Sequence, residues 1–221
     1  MPKKAGIVFV VTGAVLIISA LLLLILNQKA SENAGQQAET ILLQVQSAIS
    51  QRAETATEPV EPEAATEPTE RATGVELPEM PVVELDGYGY IGYLSIPALG
   101  LELPVMADWD YDRLRRAPCR QFGSTVTDDL VIAAHNYVSH FAKLYTLTEG
   151  AAIRFTDMNG QVHTYAVAEV VRLESTAVEA VQNSGHALVL YTCTYGGDDR
   201  VVVLCDRTEN ANERTEDHAT E

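Results

Sequence analysis

A cysteine and an arginine stand where nucleophilic chemistry is possible. Cys193 ends the apolar segment LVLYTC, and Arg200 opens the next one, RVVVLCD. Small, polar and turn-forming residues at 194–199 separate them, so two adjacent strands would bring both side chains to one end of a sheet. A guanidinium favours the thiolate form of a nearby thiol, and its forked N–H groups can hold a developing oxyanion. The pair therefore predicts a cysteine nucleophile with an oxyanion-stabilising arginine.

A cysteine nucleophile needs a group that moves a proton, and His135 is the candidate. It follows the apolar segment DLVIAA at the exit of a predicted strand, where its imidazole could protonate an amine leaving group. His218 lies in an acidic tail, His163 and His186 belong to no comparable motif, and His140 is expected to be a surface or packing residue. A lone cysteine or arginine is usually structural, but three such groups at three strand ends favour catalysis.

The strands that position these side chains must come from residues 81–206. Runs rich in β-branched and aromatic residues alternate there with turn-forming residues. They predict a closed or nearly closed β-barrel from Tyr88–Ile96, Leu101–Met106, Leu130–Ala134, Ala151–Phe155, Val162–Leu173, Ala187–Thr192 and Arg200–Asp206. Short helices are expected over Asp110–Arg116, His140–Tyr145 and Ser175–Gln182.

The N-terminal segment predicts a membrane anchor. Ala5–Leu26 is a run of uncharged residues that would span about 33 Å as a helix, close to the hydrocarbon thickness of a bilayer. Lys3 and Lys4 precede it and acidic residues follow it, so the positive-inside bias places the N-terminus in the cytoplasm and the rest of the chain outside. A cleaved signal peptide is the alternative, although its apolar region is usually only about 7–15 residues long.

A helical segment and a spacer follow the anchor. Ile41, Leu42, Val45 and Ile49 recur at helical spacing, which predicts an amphipathic helix that packs on the domain or pairs with a second copy. Residues 53–80 are rich in Pro, Thr, Ala and Glu, and such a spacer is expected to stay extended and to hold the domain away from the membrane.

These features divide the chain into five predicted segments. Residues 1–4 are a cytoplasmic tail, 5–27 the transmembrane signal anchor, and 28–80 the juxtamembrane helix with its acidic spacer. Residues 81–206 are the catalytic domain, and 207–221 are an acidic tail expected to be disordered.

Composition and failed motifs exclude several classes of protein. The net charge of −16 argues against nucleic-acid binding, and three cysteines are too few for a disulfide scaffold. No cofactor is predicted: Gly87–Gly92 matches G-x-G-x-x-G, but Pro97 would break the helix that a dinucleotide site needs. No metal is predicted either, because the acidic run from Asp108 lacks the Gly and Glu of a calcium loop, and His135 and His140 lack the H-E-x-x-H pattern.

The candidate catalytic residues resemble the signature of the sortases, membrane-bound cysteine transpeptidases of mostly Gram-positive bacteria. His135 after a strand, Thr192 directly before Cys193, and Arg200 at the start of the next strand carry this resemblance. The segment YIGYLSIPALGLELPVM at 90–106 is similar to the opening of a sortase domain, and the resemblance runs to the end of the predicted domain.

The resemblance implies a mainly β fold, an eight-stranded β-barrel with short helices behind an N-terminal transmembrane helix and linker. Cys193 would attack the Thr carbonyl of a C-terminal sorting motif on a secreted protein, and His135 would protonate the leaving amine. Arg200 would position the substrate and stabilise the oxyanion, and Thr192 is implied only as a substrate-pocket residue. The thioacyl intermediate would pass to an amine of a peptidoglycan precursor or a pilin, outside the cell membrane.

The subclass stays open on sequence grounds. The spacing from Cys193 to Arg200 is short compared with many sortases, and no Asp-Pro-aromatic lid segment precedes the barrel, which weakens the pilin-polymerase interpretation. The stretch DYDRLRRAPCRQFGS and the helix before the domain resemble class B sortases. The segment Glu174–His186 is too short for the inserted helix of that class.

Two other functions compete with a sortase. An L,D-transpeptidase-like cell-wall enzyme also places His before Cys, but its S-x-G-C-[IV]-R pattern puts Arg two residues after Cys. A catalytically inert surface binding module could share the barrel, since fold does not fix function. Cys119 and Cys205 are the remaining thiols; we expect them to be unpaired and half-buried, and a disulfide between them is the alternative.

Overall fold

The computed structural model describes residues 2–57 and 80–208. Most of the predicted spacer and the predicted acidic tail beyond residue 208 lie outside the described residues. The described part consists of a long N-terminal helix, α1 (Pro2–Thr57), and a β-barrel with short helices.

The described strands form one sheet that closes on itself. They are β1 (Val83–Leu85), β2 (Tyr88–Ile96), β3 (Leu101–Met106), β4 (Cys119–Phe122), β5 (Leu130–Ala133), β6 (Ala152–Asp157), β7 (Val162–Glu174), β8 (Leu188–Cys193) and β9 (Asp199–Arg207). The sheet order is β1-β2-β3-β4-β5-β8-β9-β7-β6, and β6 pairs back with β2. Eight strands therefore close the barrel, and β1 pairs with β2 outside the ring. The predicted eight-stranded β-barrel is confirmed.

All seven predicted strands are present, with bounds that differ by no more than two residues. The analysis missed β1 and β4, which are short, and β4 also contains Arg120 and Gln121. β4 is a strand because Cys119 pairs with Met106 of β3 on one side and with Ala133 of β5 on the other. No local pattern predicts such a strand, since its partners come from distant parts of the chain.

The short helices lie close to their predicted places. α2 (Tyr111–Leu114) and α3 (Val178–Gln182) are α-helical, whereas the helix expected at 140–145 is a series of turns ending in a 3₁₀ turn, Leu144–Thr146. Asp110 caps α2, because its side chain accepts a hydrogen bond from the Arg113 N–H. The acidic run from Asp108 is therefore a turn into a short helix, as predicted.

The barrel interior is filled by alternate side chains of its strands, with apolar side chains of the β5–β6 connection added at one end. The main buried cluster includes Leu94, Ile96, Leu103, Ile132, Phe141, Ile153, Phe155, Tyr165, Leu188 and Leu190. Gly92 allows the ring to close between β2 and β6: its φ is +143°, and a Cβ there would lie 2.0 Å from the Thr156 carbonyl oxygen. A side chain at this position would push the two strands apart.

α1 is one uninterrupted helix with two different surroundings. Its apolar N-terminal part, Ile7 to Leu26, is exposed and is long and apolar enough to cross a membrane. Its C-terminal part packs on the barrel and buries Ala34, Ala38, Leu42 and Val45. The predicted amphipathic helix is thus present. The sequence left open whether this helix packs on the domain or pairs with a second copy, and in the structure it packs on the domain.

The α1 contact corrects the predicted role of the spacer. Val45 packs in one cluster with Tyr90, Met106 and Met158 of the barrel, and these contacts precede residues 58–79 in the chain. The separation between the end of the apolar segment and the barrel is therefore set by the first residues after Leu26. A spacer located beyond the docked helix does not hold the barrel away from the membrane.

We expect α1 to be part of the folded unit, which a pair of truncations tests. A fragment of residues 28–221 retains the docked helix, whereas 81–221 exposes the barrel surface beneath it. Losing the burial of Leu42 and Val45 alone costs roughly 3–6 kcal/mol, so the shorter fragment should unfold at lower urea concentration or aggregate. Chemical denaturation followed by circular dichroism measures the difference.

Neighbouring leucines provide the matched control within the fragment 28–221. Leu42 is 9% exposed and Leu43 is 64% exposed. Leu42→Ala should lower the free energy of unfolding by about 2–3 kcal/mol, and Leu43→Ala by less than about 0.5 kcal/mol. Equal effects of the two substitutions would contradict the docking of α1.

Candidate active site

The parallel pair β5–β8 brings two predicted catalytic residues to adjacent strand ends. Ala133 of β5 is in register with Tyr191 of β8, and the pairing extends further because the Ala134 N–H donates to the Tyr191 carbonyl at 3.2 Å. His135 and Cys193 each stand two residues beyond this registered pair, at the same end of the two neighbouring strands. His135 and Cys193 are far apart in the sequence, and the pairing of β5 with β8 brings them to the same end of the sheet.

The antiparallel pair β8–β9 brings the third residue to the same end of the sheet. Cys193 and Arg200 are register partners across this hairpin. Gly196 and Gly197 have φ of +93° and +85°, which lets the chain reverse tightly between the strands. Thr194 closes the turn: its N–H donates to the Asp199 carbonyl at 2.9 Å. The short spacing noted in the sequence is thus a compact, hydrogen-bonded loop.

The Arg200 guanidinium is held by the same loop. Its Nη1 donates to the carbonyls of Gly197 at 3.1 Å and Asp199 at 3.2 Å. Among the described residues, its other nitrogens have no hydrogen-bond partner. A guanidinium fixed through one nitrogen keeps its remaining N–H donors in a defined direction, which suits it to hold an anionic oxygen.

Thr192 lies on the opposite face of β8 from Cys193. Its side chain is 2% exposed, and its hydroxyl donates to the Ala134 carbonyl at 2.8 Å. The substrate-pocket role implied for Thr192 stays a prediction. The hydroxyl ties together the two strand ends that carry His135 and Cys193.

His135 is half-buried and has a cationic neighbour. Burial, and secondarily the charge of Arg115, lower the pKa of its imidazole below the usual value. The ring of Tyr137 lies against it, with ring centroids 4.9 Å apart. The imidazole is therefore predominantly neutral at pH 7. Its protonated form would need a negatively charged group nearby to stabilise it.

The loop that follows His135 is anchored to α1. The Phe141 N–H donates to the His135 carbonyl at 3.2 Å, and Phe141 is buried in the barrel cluster. His140 is fully buried beside the backbone of Ala34, and neither of its ring nitrogens has a hydrogen-bond partner among the described residues. Burial, and secondarily His135, lower the pKa of His140 to about 4, so it stays neutral. His140 is a packing residue, as predicted from the sequence.

Tyr191 is a site residue that the sequence analysis missed. It stands two residues before Cys193 on the same face of β8, and its hydroxyl donates to the Gln121 side-chain oxygen. Burial raises the pKa of Tyr191 to about 12, which keeps the phenol protonated. The alternation of side chains along LVLYTC was a usable signal for its position, but Gln121 comes from a strand that was not predicted.

A cavity of about 180 Å³ opens beside Arg200. Its walls are aromatic, apolar and polar side chains from the segments around α2 and α3 and from strands β4, β8 and β9. Its lining residues are Trp109, Tyr111, Gln121, Glu174, Ser175, Ala177, Val178, Val181, Tyr191 and Arg200. The rings of Trp109 and Tyr111 pack against each other with centroids 5.2 Å apart. The cavity can take a small apolar side chain of a ligand next to the catalytic strand ends.

The other two cysteines are unlike Cys193. Cys119 and Cys205 are free and fully buried, and burial raises the pKa of each to about 12. The prediction that they are unpaired is confirmed, although they are more deeply buried than expected. Cys193 is free and partly exposed. Among the described residues, no group of three or more His, Cys, Asp and Glu side chains is placed to hold a metal ion.

This difference predicts selective alkylation of one thiol. Iodoacetamide should modify Cys193 in the folded protein and leave Cys119 and Cys205 unmodified, because the thiolate is the reacting species and a buried thiol is both inaccessible and protonated. Peptide mapping by mass spectrometry measures each site. In Cys193→Ser the folded protein should take up no label, and in denaturant the two remaining thiols should react. Modification of Cys119 or Cys205 at the rate of Cys193 would contradict the assignment.

Comparison with known proteins agrees with the fold. A family model described as the sortase domain matches residues 94–208. Sortase C from Streptococcus pneumoniae is a similar solved structure, with 23% sequence identity and a TM-score of 0.51 over 82% of this chain and 90% of that one. Sortase A from Corynebacterium diphtheriae has 21% identity and a TM-score of 0.50, covering 58% and 65% of the two chains.

No curated protein sequence matches the chain. The solved structures are below 25% identity and establish the shared fold alone. The family model, in contrast, covers more than half of the chain, including the strands that carry His135, Cys193 and Arg200. The chain belongs to the sortase family.

Proposed function

We propose that the protein is a membrane-anchored cysteine transpeptidase that cleaves a C-terminal sorting motif of secreted proteins and joins them to an amine. The observation that carries this proposal is the meeting of His135, Cys193 and Arg200 at three neighbouring strand ends. Membership of the sortase family supports it. No cofactor or metal enters the proposed reaction.

In the first half-reaction, Cys193 acts as the nucleophile. Its Sγ attacks the carbonyl carbon of the motif's Thr, and the carbonyl oxygen becomes an oxyanion. Arg200 is the group placed to hold that oxyanion, because charge-assisted N–H donors act most strongly where charge develops. The imidazolium of His135 donates its proton to the leaving amine. The C–N bond then breaks and a thioester remains on Cys193.

The second half-reaction reverses the proton flow. An amine of a peptidoglycan precursor or a pilin attacks the thioester carbon, and neutral His135 accepts the proton that this amine loses. The new amide bond forms as the thiolate of Cys193 leaves. Each proton taken up in one half-reaction is returned in the other, so the enzyme ends in its starting state.

The lowered pKa of His135 constrains this mechanism. A histidine that is predominantly neutral in the free enzyme is a good acceptor for the incoming amine's proton, and it needs the Cys193 thiolate beside it to persist as the imidazolium. The proposed reactive form pairs the Cys193 thiolate with the His135 imidazolium. Burial, and secondarily the charge of Arg115, oppose protonation of His135 in the free enzyme.

Thr192 and Tyr191 have positioning roles in this proposal. The Thr192 hydroxyl fixes the distance between the strand ends through the Ala134 carbonyl. Tyr191, held by Gln121, forms one wall of the cavity beside Arg200. Substrate contact with β8 at Thr192 would then be made through the backbone.

The proposed location is the outer face of the cell membrane. α1 carries an apolar segment fit to span a bilayer, and Lys3 and Lys4 precede it, which favours a cytoplasmic N-terminus. The proposed partners are secreted proteins with a C-terminal sorting signal and an amine acceptor of the cell wall or a pilus.

The sortase proposal is favoured over the two alternatives. In an L,D-transpeptidase the Arg would follow Cys by two residues, whereas Arg200 reaches the site as the hairpin partner of Cys193. An inert binding module would leave the convergence of the three strand ends without a role. The transfer experiment below separates these functions.

The test is a transfer assay with the fragment 28–221, which keeps α1 docked. Fluorogenic sorting-motif peptides and a soluble amine are incubated with the protein, and mass spectrometry detects a thioacyl adduct on Cys193 and the aminolysis product. Cys193→Ala should abolish both. His135→Ala and Arg200→Ala should lower kcat/KM by on the order of 10³-fold or more, because each loses transition-state stabilisation.

Matched controls separate chemistry from folding. His186→Ala and Arg154→Ala replace the same residue types away from the strand ends of the site, and we expect activity close to that of the unmodified protein. An adduct with no aminolysis product would indicate a hydrolase. A folded protein with an alkylatable Cys193 and no adduct from any peptide would contradict the sorting-motif substrate, and an inert Cys193 would favour the binding module.

A separate prediction concerns the pH dependence. Arg115→Gln removes a charge that opposes protonation of His135, so the pKa of His135 should rise and the imidazolium should persist to higher pH. The limb of the kcat/KM profile that reports on His135 should therefore shift to higher pH. Titration of His135 by NMR in Cys193→Ala measures the same change without the thiol. Arg154→Gln on β6 is the control and should leave the profile in place; an unchanged or lowered His135 pKa in Arg115→Gln would contradict the assignment.

A further inference from the structure

We propose that the loop of residues 137–146 is a second membrane contact, which rests on lipid headgroups beside the point where α1 leaves the bilayer. This inference depends on the proposed membrane anchor. It adds a lipid-binding surface on the barrel itself, formed by the exposed side chains of Val138, Lys143 and Tyr145.

The first argument is the length of chain between the apolar segment and the barrel. The uncharged run ends at Leu26, and α1 continues as a helix without interruption. Ser31, five residues further on, already contacts the barrel. At about 1.5 Å per residue the axial distance is about 7.5 Å. The headgroup region on each side of a bilayer is about 5–8 Å thick, so this contact lies at its outer edge.

The second argument is that this loop makes the barrel's contact closest to the membrane along α1. The Ser139 hydroxyl donates to the Ser31 carbonyl at 2.8 Å. Gly35 lies against the same side chain, since a Cβ at Gly35 would be 2.9 Å from the Ser139 Cβ. The absence of a side chain at Gly35 thus lets the loop approach the helix closely. Because α1 is one uninterrupted helix, the loop of residues 137–146 has a fixed height above the hydrocarbon core of the bilayer.

The third argument is the division of the loop into a buried and an exposed side. His140, Phe141 and Leu144 are fully buried and hold the loop in place. Val138 is 63% exposed and Tyr145 is 66% exposed. Lys143 is exposed as well. An apolar side chain, a tyrosine and a lysine are the residue types that favour the interface between hydrocarbon and water, where a lysine can reach toward phosphate.

A lipid surface fits this loop better than a protein partner. A gap of one headgroup layer between the hydrocarbon and Ser31 leaves no room for a folded domain. The exposed loop residues also lie next to a helix whose continuation is the proposed anchor, so the two surfaces are continuous. The strand end that carries His135 then stands at the level of the headgroups, which sets the height at which the proposed reaction takes place.

The test uses the full chain in vesicles of phosphatidylcholine and phosphatidylglycerol in equal parts. In a Cys193→Ala background, single cysteines are introduced at Val138 or Tyr145 and labelled with an environment-sensitive fluorophore, since Cys119 and Cys205 are buried. Val126→Cys is the matched control, because it is exposed and lies before β5, at the strand end away from His135. Leu26→Cys reports on the anchor. Nitroxide lipids labelled on the headgroup or deep in the acyl chain serve as quenchers.

We expect the headgroup nitroxide to quench the probes at 138 and 145 several-fold more than the probe at 126. The deep nitroxide should leave all three unquenched. Quenching at 26 together with equal, weak quenching at 138, 145 and 126 would overturn the loop contact while leaving the anchor intact. Absence of quenching at 26 would overturn the anchor and the loop contact together. Circular dichroism of each labelled protein confirms that the barrel is folded.

A charge substitution gives a second, independent readout. Val138→Glu places an acidic group against phosphates, so it should reduce headgroup quenching of the probe at 145 several-fold. Val126→Glu should not change it. The loop contact is wrong if Val138→Glu leaves the quenching at 145 unaltered.

Discussion

The parallel pairing of β5 with β8 is the contact on which the candidate site depends. Each strand is followed or ended by one of the two residues proposed to transfer a proton or an acyl group, His135 and Cys193, and parallel strands bring equivalent ends together. The Thr192 hydroxyl on the Ala134 carbonyl extends this pairing to the last residue before the site. The tight turn between β8 and β9 then places Arg200 opposite Cys193. A slip of one residue in the β5–β8 register would place the thiol and the imidazole on opposite faces of the sheet.

Burial separates the reactive groups from the structural ones in this barrel. Cys119, Cys205 and His140 are fully buried, and their pKa values are displaced so that each stays neutral. Cys193, His135 and Arg200 are only partly buried, which leaves them accessible to a substrate while reducing competition from water. The same physical effect thus keeps Cys119, Cys205 and His140 neutral and inaccessible, whereas Cys193 and His135 stay partly exposed.

α1 joins the candidate membrane anchor to the loop that follows His135 without a flexible tether between them. The helix packs on the barrel through small and apolar side chains, and at Ser31 and Gly35 it contacts the loop that follows His135. With α1 as the proposed anchor, an uninterrupted helix that also contacts this loop would fix the height of the site above the bilayer. The acidic segment 58–79 comes after this contact, so its length has no influence on that height.

The amino-acid sequence by itself determined most of the elements and the candidate catalytic residues. Alternation of apolar residues located seven strands, a charge-free run located the apolar part of α1, and residue types at strand ends identified His135, Cys193 and Arg200. These features are local, since each depends on a few neighbouring residues. Only the tertiary structure decided which distant segments meet: Tyr191 with Gln121, Arg115 with His135, Ser31 with Ser139, and β4 between β3 and β5. Such contacts join residues from about a dozen to more than a hundred positions apart, and they arise from closure of the barrel and docking of α1, which no pattern within a single segment encodes.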